Sequence, residues 1–491
     1  MTALVNKSCN WIRTHFPKDR VNKLSVIVIM VYYYLGLLSY ITVPIKPIYR
    51  LFTSGSSVAL IIRAVMTAIM CLYCLLVIIV NREHKIQWKW MIVFIYILLF
   101  TLLSAALSPQ TYNYIYVSQG NYNVVYWVQA STGFNRLFTM YLSSISDFAL
   151  AFCFLFILPI VFNNKKQLLI LLLPIVFIGL FECCYSIIKE REEYIKLINM
   201  VDPQYGGYNI GIGATFGNKE DWGAFATVAF VSTIGSIFCL DSKKKVNVLF
   251  KILLSLASFV IFVFSCMSLC KTAIGAQVFC LIILLVYLFF VFYKKNKKLF
   301  ICYCCLVTFL LLLIVVFLSV QPLQSIGFLG KIYKIINAYI ISPIFGGAAS
   351  GRTEIWMRFV NKLRTYNMFF GLSKGGVSTY SQVVTIEGQS AIHNGFAYFF
   401  GSYGIFGFSI YVILLGLILY RIVKLRKTCN TSVVFLSLCA FVSAMVFSLA
   451  ESEVLLISGS NPIYIFNILV CVLPQGLLLK NTKEDGGLLN A

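Results

Sequence analysis

The chain has 491 residues, 60% of them hydrophobic and 12% charged, with a mean hydropathy of +0.88 and a formal net charge of +23. That is far more apolar surface than a soluble core can hide, so a water-soluble globular class is excluded and a polytopic membrane protein remains.

After a tail at 1–23, runs of roughly 20 apolar residues, long enough to cross about 30 Å of hydrocarbon, occupy 24–43, 57–80, 90–107, 141–162, 167–188, 221–240, 248–267, 272–293, 299–320, 396–420, 431–450 and 461–479. Their unbroken apolarity predicts helices, since strands of a lipid-facing barrel alternate. The expected fold is an all-α polytopic membrane protein with about twelve transmembrane helices. Helices 1–9 fall within 24–320, with outer loops at 108–140 and 189–220. A large extracytoplasmic loop at 321–395 separates helices 9 and 10. Helices 10–12 fall within 396–479, and a tail at 480–491 follows.

Positive charge sets the orientation. The tail carries Lys7, Arg13, Lys18, Arg20 and Lys23, and every second connection after it is basic: Arg82/Lys85/Lys89, Lys165/Lys166, Lys243 to Lys245, Lys294/Lys295/Lys297/Lys298, Arg421/Lys424/Arg426/Lys427 and Lys480/Lys483. Both termini are therefore expected in the cytoplasm. These connections hold 23 of the 40 Lys and Arg, so the net charge follows from topology and anionic lipid, and no nucleic-acid partner is implied. Many of the sixteen cysteines lie inside the apolar runs, Cys71, Cys74, Cys183, Cys184, Cys302, Cys304 and Cys305 among them, where they act as small apolar side chains. The outer loops have almost none, which argues against a disulfide framework. The first apolar run lacks a small-residue cleavage site and reads as an internal signal-anchor.

The loop at 108–140 is rich in Tyr, Asn and Gln, with Tyr112, Tyr114, Tyr116, Tyr122, Tyr126 and Trp127. Such a surface suits stacking on sugar faces, and an aromatic belt at a membrane interface has the same composition. The loop at 189–220 opens with a charged, helix-like stretch from Lys189 to Lys196. It ends at Gly211-Ile212-Gly213-Ala214-Thr215-Phe216-Gly217-Asn218, whose glycines imply a tight backbone at the outer interface.

The insertion at 321–395 carries seven Lys/Arg against two Glu, and the positive-inside rule gives no reason for Arg352, Arg358, Lys362, Arg364 and Lys374 to be there. A helix starting near Ser350 would project Arg352 and Arg358 from one side and Ile355, Trp356 and Phe359 from the other, lying along the outer leaflet. Cations at headgroup height suit the phosphates of lipid-linked substrates, and equally they simply meet lipid headgroups. The exported histidine, His393, sits at the mouth of the tenth span beside Asn394 and Gly395. Imidazole accepts a proton from a hydroxyl near neutral pH, whereas a lone interfacial histidine is commonly structural. No second His, Asp pair or CxxC lies on that side at ligand spacing, so no metal site is expected. Arg63, near the outer end of the second span, is costly in lipid and is either functional or snorkels to the headgroups. Glu451 and Glu453 open the last outer loop and could hold sugar hydroxyls, pair with the arginines or stay solvated.

In these stretches the chain resembles the O-antigen ligase and polymerase superfamily. The resemblance rests on Ser350-Gly351-Arg352-Thr353-Glu354-Ile355-Trp356, Phe369-Phe370-Gly371-Leu372-Ser373-Lys374-Gly375-Gly376, His393-Asn394-Gly395-Phe396 and Gly401-Ser402-Tyr403-Gly404-Ile405-Phe406-Gly407. Ser265 to Ala273 is similar to a Thr/Ser-x-Ser-Arg-Gly-like sequence of that family, with Lys271 where arginine is usual, and Gly217-Asn218-Lys219 is a further short match. The likeness is best over 210–420.

The resemblance implies a GT-C-like, metal-independent glycosyltransferase without a cofactor, multi-pass in the bacterial cytoplasmic membrane. It would move a glycan from undecaprenyl diphosphate to an acceptor hydroxyl at the outer face. Its expected partners are that lipid-linked glycan, membrane lipid, and a chain-length regulator and flippase of the same pathway. Arg352 and His393 would be the catalytic pair. Arg352, Lys271, Arg358, Lys374 and Arg63 would contact diphosphate, and Asn394, Glu451 and Glu453 would contact acceptor or sugar. Large outer loops favour a repeat-unit polymerase over a ligase. A twelve-helix flippase or transporter is the rival from another class, although the halves look unrelated and midspan charge is scarce. A non-catalytic scaffold is a third reading.

Overall fold

The computed structural model describes residues 2–38, 112–119, 122–129, 165–199, 212–216, 219–240, 245–319, 368–371, 393–424 and 431–451, together with 75–81 and scattered positions between 65 and 103 and between 330 and 364. Most described residues are helical. In chain order the elements are α1 (Thr2–His15), α2 (Lys18–Leu38), β1 (Tyr112–Gln119), β2 (Tyr122–Gln129), α3 (Lys165–Lys189), α4 (Arg191–Asn199), α5 (Lys219–Cys239), α6 (Lys245–Met267), α7 (Lys271–Lys295), α8 (Lys297–Ser319), α9 (Gly395–Lys424) and α10 (Thr431–Ala450). A single 3-10 turn, Ala214–Phe216, precedes α5.

Five helices among the described residues are long and apolar enough to cross a membrane: Lys166–Lys189, Lys219–Cys239, Lys245–Met267, Lys271–Lys294 and Gly395–Tyr420. They match expected runs at 167–188, 221–240, 248–267, 272–293 and 396–420. The runs at 141–162 and 461–479 lie outside the described residues, as do most positions of 57–80 and 90–107.

The helix-like stretch after Lys189 is α4. One departure from helix lies in the loop at 108–140. β1 and β2 pair antiparallel, with Gln119 opposite Tyr122 and Tyr114 opposite Trp127. The physical reason is in the sequence: β-branched and aromatic residues populate both segments, and Gly120-Asn121 between them is a dipeptide type that favours two-residue hairpin connections.

The chain divides into two compact units. One comprises Met1–Leu171, Arg352–Asn430 and Phe447–Ala491, the other Leu172–Gly351 and Thr431–Val446. In the second, α5 is the packing centre. Small residues let neighbours approach its backbone closely. A Cβ placed on Gly223 would stand 2.8 Å from Cys270 Cβ, and one on Gly235 would stand 3.0 Å from Leu172 Cδ1. On α3, a Cβ at Gly179 would stand 2.8 Å from Ala229 Cβ of α5.

In the first unit, Phe359 is fully buried, with Trp356, Val360, Ala397, Tyr398 and Phe400 packed around it. The positions 356, 357 and 359–361 are helical, as expected of the insertion. Phe359 nevertheless packs on the start of α9 rather than facing lipid, with the rings of Tyr398 and Phe400 among its close-packed neighbours.

Candidate functional site

The first unit builds its site where α9 begins. Asn394 is the helix cap: its Oδ1 accepts from the Ala397 N–H at 2.9 Å, and its carbonyl accepts the first helical bond from the Tyr398 N–H at 2.9 Å. This is the geometry that asparagine favours at a helix start, and it occupies donors that would otherwise be orphaned. His393 immediately before it has φ +47°. A non-glycine residue in this left-handed region costs on the order of 1 kcal/mol. The ring is turned to Glu451, whose Oε2 lies 2.9 Å from His393 Nδ1. Glu451 follows the last turn of α10 and bonds through its N–H to the Phe447 carbonyl at 2.7 Å.

The pair has a chemical consequence. A carboxylate accepts only, so Nδ1 donates to it, which leaves Nε2 of the neutral ring as the proton acceptor. The His393 side chain is 28% exposed and that of Glu451 11%. The ring is thus reachable while its orienting carboxylate is largely covered. A carboxylate so placed holds the ring in one tautomer, the arrangement that a general base would need. Glu451, for which the sequence left sugar hydroxyls, the arginines and solvent open as partners, meets the histidine.

Two of the resembling motifs meet a few turns along α9. Gly404 (φ +66°, ψ −170°) interrupts the helix, and Gly371 has φ +79°. The Ile405 N–H donates to the Met368 carbonyl at 2.9 Å and the Phe406 N–H to the Phe369 carbonyl at 3.4 Å. A Cβ on Gly371 would stand 2.6 Å from the Ser402 carbonyl, and one on Gly404 would strike the Phe369 carbonyl. Only glycine at both positions allows the 368–371 turn to cross the kink this closely, with Phe369 and Phe406 stacked at 5.8 Å.

In the second unit, Lys271 is the first residue of α7 and is exposed. The turn before it is held from beneath. Leu269 has φ +57°, Ser268 Oγ donates to the Ser265 carbonyl at 2.6 Å, and the Cys270 N–H donates to Ser268 Oγ at 3.2 Å. The buried Gln277 donates to Ser265 Oγ at 2.8 Å and to Thr227 Oγ1 at 3.2 Å, tying α5, α6 and α7 together. Cys270 makes no side-chain cap, so the N-terminal amides of α7 add positive potential where Lys271 stands.

A carboxylate cluster that the sequence reading passed over lies in the same unit. Glu182, fully buried in α3, accepts from the Thr215 N–H at 3.1 Å and from Thr215 Oγ1 at 2.8 Å. Glu190 accepts from the Gly213 and Ala214 N–H groups at 3.1 and 2.9 Å. Three successive amides, one on a left-handed Ala214 (φ +49°), are therefore gripped by two carboxylates. Burial pushes the Glu190 carboxyl above its ordinary range, against the pull of the Ala214 and Gly213 amides and together with the charge of Glu193. Tyr194, whose phenol burial likewise pushes up, bonds Ser186 at 2.8 Å. The signal available in the sequence was a glutamate inside an apolar run, which is costly unless satisfied.

All three non-glycine residues of positive φ among the described residues, Ala214, Leu269 and His393, adjoin one of these clusters. The structure thus brings His393, Asn394 and Glu451 together and presents Lys271 at a helix start in the other unit. Arg352, Arg358, Lys374, Arg63 and Glu453 lie outside the described residues. Among the described residues no three His, Cys, Asp or Glu side chains gather as a ligand set for a metal. No protein-family model matches the chain, and no curated protein matches it.

Proposed function

We propose that this membrane protein is a glycosyltransferase that polymerises undecaprenyl-diphosphate-linked repeat units into surface polysaccharide at the outer face of a bacterial cytoplasmic membrane. The observation that carries the reading is the His393–Glu451 pair at the start of an apolar helix, with Nδ1 and Oε2 2.9 Å apart. The chemistry asks for little more than a positioned base and cations. The acceptor hydroxyl oxygen attacks the anomeric carbon, its proton passes to His393 Nε2, and the bond from that carbon to the diphosphate breaks. Glu451 keeps the imidazolium in place as it forms.

The departing diphosphate needs positive charge. The resemblance assigns that charge to Arg352 as a guanidinium and to Lys271 as an ammonium, and Lys271 stands at the amide end of α7. A twelve-span, GT-C-like, metal-independent architecture belongs to the same proposal.

The test is incubation of the purified full-length protein with a lipid-diphosphate-linked repeat unit in the absence of added metal. A ladder of products is expected. Transfer of a single unit to a core acceptor would make the enzyme a ligase, and no product with a competent preparation would sink the reading. Replacing His393 with Ala is expected to slow the ladder by roughly 10²- to 10⁴-fold. Glu451→Gln is expected to cause a smaller loss, with the protein level unchanged in both variants.

A further inference from the structure

The N-terminal helix presents a surface that the catalytic proposal does not use. α1 joins α2 through Phe16 and Pro17, and both helices are fastened to the end of the helical stretch at 75–80. Arg13 Nε donates to the Ile79 carbonyl at 2.9 Å. Asn22 and Asn81 exchange two side-chain amide bonds, at 2.8 and 3.2 Å.

These bonds fix α1 at a readable height. Along α2 the exposed residues change from Arg20 and Lys23 to Leu24, Ile27 and Val31. On the neighbouring stretch Leu72 and Leu75 are exposed, whereas Asn81 at its end is buried against Asn22. The change from charge to hydrocarbon marks the headgroup level, because ionised side chains are expelled from the bilayer core and long basic ones reach its edge. Asn22 and Asn81 sit at that level, and Arg13 holds α1 beside them.

At this height α1 leaves Trp11 57% and Phe16 42% exposed, with Trp11 stacked on His15 at 4.4 Å. Two large aromatic side chains open to water would be unfavourable, whereas tryptophan at headgroup height is favoured. The accompanying charge identifies the surface that covers them. Residues 1–23 carry Lys7, Arg13, Lys18, Arg20 and Lys23 against the single acid Asp19. We infer that α1 is an interfacial anchor, docked on anionic phospholipid with Trp11 and Phe16 among the headgroups and the basic residues near their phosphates.

The experiment uses the full-length protein in vesicles of neutral phospholipid, with or without an anionic fraction, doped with lipid brominated near the headgroup or near the chain end. The Trp11 contribution is the difference in emission between the native protein and Trp11→Phe, both eluting as the same monodisperse species. It is expected to be blue-shifted, to lose more intensity to the shallow bromines than to the deep ones, and to lose more still with anionic lipid. Arg20→Gln/Lys23→Gln should abolish that last increment. Equal quenching in neutral and anionic vesicles would overturn the choice of anionic lipid. Quenching by aqueous acrylamide with none by brominated lipid would overturn the anchor. Protection from both quenchers would assign the surface to a protein partner or a second copy, and so would also refute the proposal.

Discussion

Placing a methyl group on Gly404 tests the crossing that holds the start of α9. The backbone there has φ +66° and ψ −170°, a region essentially confined to glycine, so alanine would carry about 1–3 kcal/mol of strain. Its Cβ would also strike the Phe369 carbonyl. A backbone group cannot swing aside as a side chain does, and overpacking of this kind costs typically about 1–3 kcal/mol. Gly404→Ala should therefore destabilise the protein by about 2–6 kcal/mol, a large part of the stability of most domains. Gly416 on the same helix has nothing within 4 Å of an added Cβ. Gly416→Ala should stabilise by roughly 0.5–1 kcal/mol, because alanine loses less freedom in a helix. Unfolding of the purified protein in micelles by graded sodium dodecyl sulfate, followed by far-ultraviolet circular dichroism, measures both. If Gly404→Ala matches the native protein while Gly416→Ala stabilises it, the crossing is not formed as described. Gly371→Ala should act on the same contact, so the double variant should fall short of the sum of the two.

Thr215→Val keeps the side-chain shape but removes the hydroxyl that donates to buried Glu182 at 2.8 Å, and should cost about 1.5–3 kcal/mol in the same unfolding measurement. Glu190 makes stability depend on pH. Its folded carboxyl titrates above the ordinary value of 4.5, chiefly through burial. Its contribution is therefore fully present below the unfolded value and lost as pH rises through the folded one. The native protein should lose stability across that window just above 4.5, and Glu190→Gln should lack this component of the pH profile.

The five spans found among the described residues were the most legible feature, because hydrocarbon thickness forces long apolar runs whatever the fold. The beginning of α9 was also readable: Asn394 before Gly395 is a helix-start signal, and the helix begins at Gly395. The hairpin was present in the sequence as Gly120-Asn121 between residues suited to strands, but the same aromatic residues equally suit a sugar-stacking surface or an interface belt, so their pattern alone does not single out a hairpin. The partner of His393 could not be read. Glu451 lies 58 positions away, and nothing local separates a glutamate that meets a histidine from one that stays solvated. Glu182 was obscured for the opposite reason. It interrupts an otherwise apolar run, and the group that makes it tolerable, Thr215, lies 33 residues later in a glycine-rich stretch that implied a tight backbone but named no partner for it.

The nearly complete enclosure of α5 has a consequence for how the chain enters a bilayer. Of its apolar stretch 89% is buried, and it is the least hydrophobic of the five candidate spans. Thr227, Ser232, Thr233 and Ser236 are all fully buried within it. A helix of this kind has no face made for lipid, and the ribosome delivers it before α6 and α7, its neighbours in the fold. Until those helices follow, α5 is a poor resident of hydrocarbon. Integration of this region is therefore expected to be a joint event, with α5 retained at the insertion machinery until its neighbours arrive and released with them as one packed body.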